Sequence, residues 1–307
     1  MNYTLHQLQV FVKISQTLSI TRAAEALHLT QPAVSIQLKN FQDQFDSPLT
    51  EVISRRVYLT DFGWEIARAA QKVLQETQAI NDRTLAHKGL LYGKLTLSVV
   101  STGKYVMPYF LSGFMSQHEG IELSIDVTNR QQVIDSLAKN EVDFSLVSIL
   151  PRHLAVDHLD LLPNKLYLAG HNPPDASVPI SEPALLEQLP LIYREAGSGT
   201  RSTMEKFIAD HGLVVTKRLE LTSSEAIKQA VVSGLGYSVM PLIGLKNELL
   251  NKDLHLIPVR GLPLETTWML IWHKGKQFSP VAQAYLTYLR THHESIRREC
   301  FAWYEQF

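Results

Sequence analysis

The chain has 307 residues, of which 45% are hydrophobic and 19% charged, and its net charge at neutral pH is −1. This length suits two or three domains, and the composition is that of a globular protein with a sizeable core. The single cysteine, Cys300, excludes an intramolecular disulfide and a cysteine-rich metal site, and no apolar run approaches the ~20 residues that cross a bilayer.

The first 63 residues carry neither an export signal nor an excess of positive charge. The start, MNYTLHQLQV, lacks the basic and apolar regions of a secretion signal, so we expect a cytoplasmic protein without a membrane partner. Basic and acidic residues balance in this segment, so bulk charge gives no argument for binding to nucleic acid. Such an argument must come from the positions of individual residues.

Three short helices are predicted in this segment. A capping box that begins at Thr4 starts the first helix. Thr21 is expected to cap a second helix, from Arg22 to His28. Thr30 is expected to cap a third, with Pro32 in its first turn, where the missing N–H costs nothing.

The third helix has an apolar face and a polar face. The apolar residues follow helical spacing and are Val34, Leu38, Phe41 and Phe45. Gln31, Ser35 and Lys39 step by four along another face. A polar row on the second of two short helices is typical of a recognition helix, because Gln and Ser can bond base edges and Lys can reach guanine or phosphate. A plain three-helix module with a solvated polar face is the alternative.

A basic strand follows the third helix, from Arg55 to Thr60. A hairpin wing beside a recognition helix would place cations over the phosphate backbone, where each neutralised phosphate releases counterions. The local positive footprint predicted in this way consists of Arg22, Lys39, Arg55 and Arg56.

The stretch from Leu18 to Ser35, LSITRAAEALHLTQPAVS, resembles the LysR-type transcriptional regulators, and so does the wing ending LTDFG. The resemblance implies a winged helix-turn-helix in residues 1–63 that binds double-stranded DNA. By this likeness, the residues facing DNA are Gln31, Pro32, Ser35 and the wing arginines. The chain departs from the family at Thr50 and Val52, where Phe and Arg are usual. The resemblance implies a transcription regulator rather than an enzyme, with RNA polymerase as a further candidate partner.

Residues 64–88 are predicted to form one long linker helix, since no proline interrupts them. A heptad-like seam runs along it. Its residues are Ile66, Ala70, Val73, Thr77 and Ile80. The seam predicts a close helix pair, and the resemblance also implies a homodimer or homotetramer that reads spaced half-sites. A single helix lying on its own domain is the alternative.

Strands and helices alternate through residues 89–307. The predicted strands are Leu95–Val99, Glu122–Val127, Asp143–Val147, Leu166–Ala169, Pro190–Arg194, Arg218–Leu221, Gly236–Met240 and Trp268–Trp272. The predicted helices include Lys104–Gln117, Gln131–Asn140 and a final helix from Ser279 to His292. This order indicates parallel strands with right-handed crossovers.

The layout resembles the α/β two-lobed fold of type 2 periplasmic binding proteins, which LysR-type regulators share. By that likeness, lobe one spans about 92–163 and 266–307, and lobe two about 164–265. The likeness places an effector in the cleft between them, where strands end.

Hydroxyl-bearing residues and one arginine lie where predicted strands of both lobes end. They are Ser101, Thr102, Thr128, Ser148, Arg194, Ser198 and Thr200. Hydroxyls and free N–H groups at such positions favour an anion. An ordinary helix cap is the alternative for any one of these serines and threonines. Together they predict a small polar, anionic effector: an organic acid, a phosphorylated metabolite or an inorganic oxyanion. No metal or cofactor is expected.

Three segments of the effector domain are similar to the branch of the family that regulates carbon fixation and inorganic sulfur use. They are Ser101–Tyr105, Asn129-Arg130 and Ser223–Val231. The likeness adds Asn129 to the expected effector-binding residues. Regulators of this branch sense sugar phosphates, organic acids, reduced nicotinamide nucleotides or sulfur oxyanions, so the resemblance implies a class of ligand and not one compound.

An enzyme and a transporter's solute-binding protein are the competing classes. The sequence has no Walker loop, no His-Glu-x-x-His and no Gly-x-Ser-x-Gly motif. A solute-binding protein would need a signal peptide and no helix-turn-helix. Both alternatives therefore lack the sequence features that they require.

Overall fold

The computed structural model describes residues 2–53, 56–86, 91–174, 179 and 181–307. The chain divides into two compact units, Met1–Leu90 and Leu91–Phe307. The elements of the first unit are α1 (Leu5–Thr17), α2 (Ile20–Ala26), α3 (Gln31–Gln42), β1 (Thr50–Ile53), β2 (Arg56–Leu59) and α4 (Asp61–Ala86).

The helix starts of the first unit follow from side-chain caps. The capping box at Thr4 is confirmed, since its hydroxyl accepts a hydrogen bond from the Gln7 backbone N–H at 3.2 Å. Thr30 likewise caps α3, as predicted. The cap predicted at Thr21 is wrong: α2 begins at Ile20, because the extended residue Ser19 places its hydroxyl to accept from the Arg22 backbone N–H.

The long helix α4 begins at Asp61, three residues earlier than predicted. Thr60 explains this start, because its hydroxyl accepts from the Gly63 backbone N–H at 2.9 Å. Gly63 also allows a close approach, since a Cβ there would lie 2.0 Å from the Leu49 carbonyl oxygen. The wing and the start of α4 are therefore tied together.

One hydrophobic core holds the first unit together. Buried residues from α1, α3, the wing and α4 meet in it, including Leu8, Phe11, Ile14, Val34, Leu38, Phe41, Leu49, Val57, Ala67 and Ala70. The Phe11 and Phe41 rings lie 5.1 Å apart at their centres. Burying a side chain of this size contributes about 1.5–3 kcal/mol, so α3 is held firmly by its apolar face.

The second unit contains strands and helices in alternation. Its strands are β3 (Gly93–Val100), β4 (Ile121–Thr128), β5 (Phe144–Val147), β6 (Val156–Gly170), β7 (Leu191–Arg194), β8 (Lys217–Leu221), β9 (Ser238–Pro241), β10 (His255–Ile257) and β11 (Leu264–His273). Its helices are α5 (Met107–Gln117), α6 (Arg130–Ala138), α7 (Leu185–Gln188), α8 (Gly199–Asp210), α9 (Ser224–Val232), α10 (Lys246–Leu250) and α11 (Pro280–Phe301). Turns of 3-10 helix span Ser101–Tyr105, Leu242–Gly244 and Ala302–Gln306.

The main sheet is mixed, so the prediction of parallel strands is only partly right. Its order is β10-β6-β11-β5-β3-β4, and β9 also pairs with β6. Strand β3 runs parallel to β4 and β5, but β6 and β11 run antiparallel to each other and to their other partners. A separate parallel pair joins β7 and β8. The first half of β6 was not predicted, because its exposed polar residues hide the strand pattern.

Two hydrophobic regions, here called the first core and the second core, lie along this sheet. The first core includes Leu97, Phe110, Phe144, Leu162 and Trp268. The second core comprises two buried clusters that include Leu166, Leu168, Leu191, Phe207, Ile192 and Ile227. Strand β6 therefore passes from the first core to the second between Leu162 and Leu166.

The last helix extends beyond its predicted end at His292. It continues to Phe301, which is 3% exposed and stacks on Phe110 with ring centres 5.8 Å apart. Apolar packing against the first core thus prolongs a helix whose exposed face is polar.

Candidate functional site

Helix α3 presents its predicted polar row away from the core of the first unit. Val34 and Leu38 are buried, whereas Gln31, Pro32 and Lys39 are exposed, and Ser35 is half-buried. A helix held by one apolar face and polar on the other can lie against a partner without losing its own packing. The geometry thus leaves the row open to a duplex.

Three cations around this helix have no carboxylate partner among the residues that the structure describes. Arg22, Lys39 and Arg56 are all exposed. Within the described residues, none of them pairs with a carboxylate, and the Arg22 guanidinium donates only to the Thr17 carbonyl oxygen. Arg55, also predicted to contact DNA, lies outside the described residues. Although residues 1–63 carry no net charge, these three exposed cations give them a local positive surface.

The wing is a short antiparallel hairpin tied to the end of α3. Its register pairs Val52 with Val57 and Ile53 with Arg56. Thr50 donates two hydrogen bonds to Gln42 Oε1, from its backbone N–H at 2.9 Å and from its hydroxyl at 2.7 Å. At the first position that departs from the family pattern, the side chain therefore fixes the wing to the helix.

The predicted dimerisation seam divides into two parts. Ala70 is 3% exposed in the core of the first unit, and Ile66 packs against the same core. These two side chains support the first unit itself, because α4 turns that face toward α1. Val73 and Ile80, by contrast, are exposed, and the Thr77 hydroxyl donates to the Val73 carbonyl oxygen at 2.9 Å. The outer part of the seam is therefore the part open to a partner.

In the second unit, seven of the eight predicted effector-binding residues line one small cavity. They are Ser101, Thr102, Asn129, Ser148, Arg194, Ser198 and Thr200. Thr128 does not line it, and its hydroxyl donates to Gln132 on the following helix. The walls are completed by Val100, Arg130 and Gly199. The ends of β3, β4, β5 and β7 thus meet here.

Three helical N-termini converge on the cavity. One is the 3-10 turn that starts at Ser101, and the others are α6, capped by Asn129, and α8, capped by Ser198. Asn129 accepts from the Gln132 backbone N–H at 3.0 Å, and Ser198 from the Arg201 backbone N–H at 3.5 Å. Both side chains therefore cap helices, and for Ser198 this is the alternative given above for a strand-end serine or threonine. The N-termini still carry partial positive charge, which favours an anion.

Arg194 is buried, and its guanidinium already has hydrogen-bond partners within the protein. Its Nε and Nη2 atoms donate to the two carboxylate oxygens of Glu195 at 2.8 and 2.9 Å. The same guanidinium donates to the hydroxyls of Ser101 and Ser224. Ser101 follows a strand of the first core and Ser224 begins a helix of the second core, so Arg194 bridges the two halves of this unit.

Arg130 is the cation that sequence reasoning did not single out. It is half-buried, and burial lowers the pKa of its guanidinium, although an arginine stays charged at neutral pH. Its partners are the carbonyl oxygens of Ile149 and Leu150, each at 3.4 Å. No carboxylate in the described part of the chain pairs with it. The sequence did indicate its position, because Arg130 directly follows Asn129, the helix cap at the end of a strand.

The cavity is closed in this arrangement. It holds about 20 Å³, which is room for little more than one water molecule. A second hydrogen bond joins the same two halves of the unit, since the Tyr105 hydroxyl donates to Glu225 Oε2 at 2.9 Å. Burial and the Glu225 carboxylate both raise the Tyr105 pKa, so this hydroxyl keeps its proton at neutral pH. An effector of several atoms must part these walls.

Neither a membrane span nor a metal centre is found within the described ranges. None of the helices there has the length and apolar character needed to cross a bilayer. No group of three or more His, Cys, Asp or Glu side chains there could hold a metal ion.

Comparisons with known proteins assign both units. Residues 5–64 match the model of the bacterial regulatory helix-turn-helix protein, lysR family, and residues 88–294 match the LysR substrate binding domain. The chain is 39% identical to the HTH-type transcriptional activator CmpR of Synechocystis sp., covering 96% of this chain and 97% of the relative. It is 36% identical to a RuBisCO operon transcriptional regulator of Acidithiobacillus ferrooxidans, covering 93% of both chains.

A solved structure resembles the second unit. It is the regulatory domain of Synechocystis CcmR in complex with 2-PG, which is 34% identical with a TM-score of 0.61. The match covers 65% of this chain and 96% of that domain. The relatives from Synechocystis sp. and Acidithiobacillus ferrooxidans that match over the full chain are named as regulators of transcription and not as enzymes.

Proposed function

The chain belongs to the LysR family of DNA-binding transcription regulators, and from that premise we propose that an anion bound at the closed cavity controls how its α3 helices contact operator DNA. Membership of this family means that the chain binds DNA and has an effector-binding domain. The observation that supports the finer proposal is Arg130, a half-buried cation that lies among three helical N-termini and has no carboxylate partner within the described residues.

The proposed DNA-contacting face consists of α3 and the wing. Gln31, Ser35 and Lys39 contact base edges in the major groove, while Arg22 and Arg56 neutralise phosphates. Two such faces need a homo-oligomer, and the exposed side chains of Val73 and Ile80 are the proposed contact between α4 helices. The proposed location is the cytoplasm, where the chromosomal DNA of a bacterium lies.

Replacing Arg56 by alanine should weaken binding to every DNA sequence by a similar factor. The reason is that a phosphate contact contributes counterion release and no base recognition. The slope of log affinity against log salt should fall by about one, measured by fluorescence anisotropy at several salt concentrations. Arg260→Ala, which removes an exposed arginine of the second unit, is the matched control and should leave the slope unchanged. Unaltered binding of Arg56→Ala at every salt concentration would remove Arg56 from the DNA face.

The proposed effector is a small organic acid, phosphorylated metabolite or inorganic oxyanion. The polar wall of the cavity and Arg130 favour such a ligand, because the anion would supply the negative partner that this cation lacks in the described part of the chain. The complex of CcmR with 2-PG makes 2-phosphoglycolate the first compound to test. Effector binding must open the cavity, and it shifts the protein between two arrangements by its difference in affinity for them, about 1–3 kcal/mol.

A thermal-shift screen of the full chain identifies the class of effector. The compounds are 2-phosphoglycolate, phosphate, sulfate and common carboxylates, and the best of them is called the screening ligand below. Binding to the folded state raises the apparent melting temperature by mass action. A concentration-dependent rise with at least one of these anions is expected. No shift with any of them at millimolar concentration would contradict an anion site.

Replacing Thr102 by valine should abolish the response to the screening ligand while sparing DNA affinity. Thr102 is 6% exposed and lines the cavity, and valine keeps nearly the same volume while it exchanges the hydroxyl for a methyl group. The measurements are calorimetric titration with ligand and anisotropy with DNA. Thr287→Val, on the exposed face of α11, is the control. Wild-type ligand affinity in Thr102→Val would take this hydroxyl out of the site.

A further inference from the structure

The C-terminal segment, residues 302–307, folds back onto strand β6. Tyr304 is 3% exposed, and its hydroxyl accepts a hydrogen bond from the Lys165 backbone N–H at 2.9 Å. The Lys165 ammonium donates to the backbone oxygens of Tyr304 and Phe307, at 3.4 and 2.7 Å. The segment is therefore anchored to β6 by both main-chain and side-chain bonds.

The anchor lies where β6 passes between the two cores. Leu162 belongs to the first core and Leu166 to the second, and Lys165 lies between them. Opposite Leu162, the register with β11 shifts between Trp268 and Met269. A molecule bound here would contact the strand that connects the two halves of the second unit.

A cavity of about 270 Å³ remains between β6, α11 and the C-terminal segment. Its apolar wall is formed by Leu162, Pro163 and Phe301. The volume lies just below the range of about 300–1,000 Å³ typical of ligand pockets, so it suits a compound of benzoate size. The closed cavity around Arg130, called the anion cavity from here on after the ligand proposed for it, is polar and holds about 20 Å³ in the same structure. The two cavities therefore differ in both size and chemistry.

Arg297 gives the larger cavity a cation that is weakly held. Its only carboxylate partner within the described ranges is Glu305, with 3.8 Å between the nearest nitrogen and oxygen. The Glu305 side chain is 78% exposed, so water screens this pair and the pair contributes little. Lys165, the other cation of the wall, is occupied by backbone oxygens. An incoming carboxylate would therefore compete with Glu305 for Arg297.

We propose that this cavity is a second ligand site, which binds a small amphipathic carboxylate. The apolar body of the ligand lies against Leu162, Pro163 and Phe301, and its carboxylate pairs with Arg297. The site is separate from the anion cavity, and the proposal stands independently of the effector assigned there.

The test uses 4-fluorobenzoate and the full chain, observed by fluorine NMR. Saturable line broadening is expected with the wild type and not with the neutral analogue 4-fluorobenzamide. Arg297→Gln should weaken binding about tenfold or more, because it removes a charged hydrogen bond. Glu305→Gln should strengthen binding, because it removes the competing carboxylate. If thermal melting shows that Arg297→Gln folds poorly, the expected gain in affinity of Glu305→Gln still tests the proposal.

Two control variants distinguish binding at Arg297 from binding at other cations of the chain. Arg298→Gln changes an exposed neighbour on α11 that does not line the cavity, and Arg130→Gln changes the anion cavity. Both should bind 4-fluorobenzoate as the wild type does. The proposal is overturned if the wild type shows no saturable binding, if neither Arg297→Gln nor Glu305→Gln changes the affinity, or if Arg130→Gln abolishes it.

Discussion

Replacement of Arg130 by glutamine is expected to abolish control by the screening ligand. An anion in the closed cavity would lose its half-buried cationic partner, and truncating one member of such a pair costs about 2–5 kcal/mol. The corresponding loss of affinity is about 30-fold to several thousand-fold, measurable by calorimetric titration of the full chain. DNA affinity without ligand should stay the same, because the substitution lies outside the first unit.

Two further variants make the Arg130 result specific. Arg130→Lys keeps the charge but loses the planar fork that bonds two oxygens, so an intermediate affinity is expected. Arg152→Gln changes an exposed arginine outside the cavity wall and should bind as the wild type does. Wild-type affinity in Arg130→Gln would show that the effector does not use this cation.

Replacement of Gln31 or Ser35 by alanine is expected to weaken binding to the cognate operator by about 1–3 kcal/mol and to relax base preference. The physical reason is that a side chain bonded to a base edge discriminates between bases, whereas a phosphate contact does not. The operator is first obtained by selection with the full chain from a random DNA library. Anisotropy titrations with the selected site and with single-base variants of it then give the affinity and the preference.

Asn40→Ala is the matched control for the recognition row. Asn40 is exposed on the same helix but lies on a different face from Gln31 and Ser35. Its removal should leave base preference unchanged. Equal losses on cognate and random DNA in the Gln31 and Ser35 variants would mean that the row contacts the backbone only.

Much of the first unit could be predicted because its signals are local. The caps at Thr4 and Thr30 and the apolar spacing of α3 are each set within a few residues of sequence. The error at Thr21 arose because two hydroxyls, Ser19 and Thr21, compete for the same helix start, and backbone conformation decides between them.

Features that depend on distant contacts could not be predicted as well. Ile66 and Ala70 fit a heptad seam, but a face that packs on its own core has the same spacing as one that packs on a partner. The first half of β6 pairs with β11 about a hundred residues later, and its exposed polar side chains gave no strand signal. The end of α11 at Phe301 likewise follows from packing on Phe110.

Most residues that line the cavity around Arg130 were predicted because they follow closely on the ends of predicted strands, β3 to β5 in the main sheet and β7 in the separate pair. The bridging role of Arg194 was not predicted, since its hydrogen bonds with Glu195, Ser101 and Ser224 depend on tertiary structure. Arg130 was missed for the complementary reason. What distinguishes this cation is the absence of a carboxylate partner among the described residues, and a sequence does not show which charges are paired.

The most direct test is hydroxyl-radical footprinting of the full chain on its selected operator, with and without saturating screening ligand. Two protected half-sites spaced by whole helical turns are expected, with a protection pattern that changes on ligand addition for the wild type and stays fixed for Arg130→Gln. An identical wild-type footprint in both conditions, despite measured ligand binding, would contradict the claim that the anion cavity governs contact with DNA.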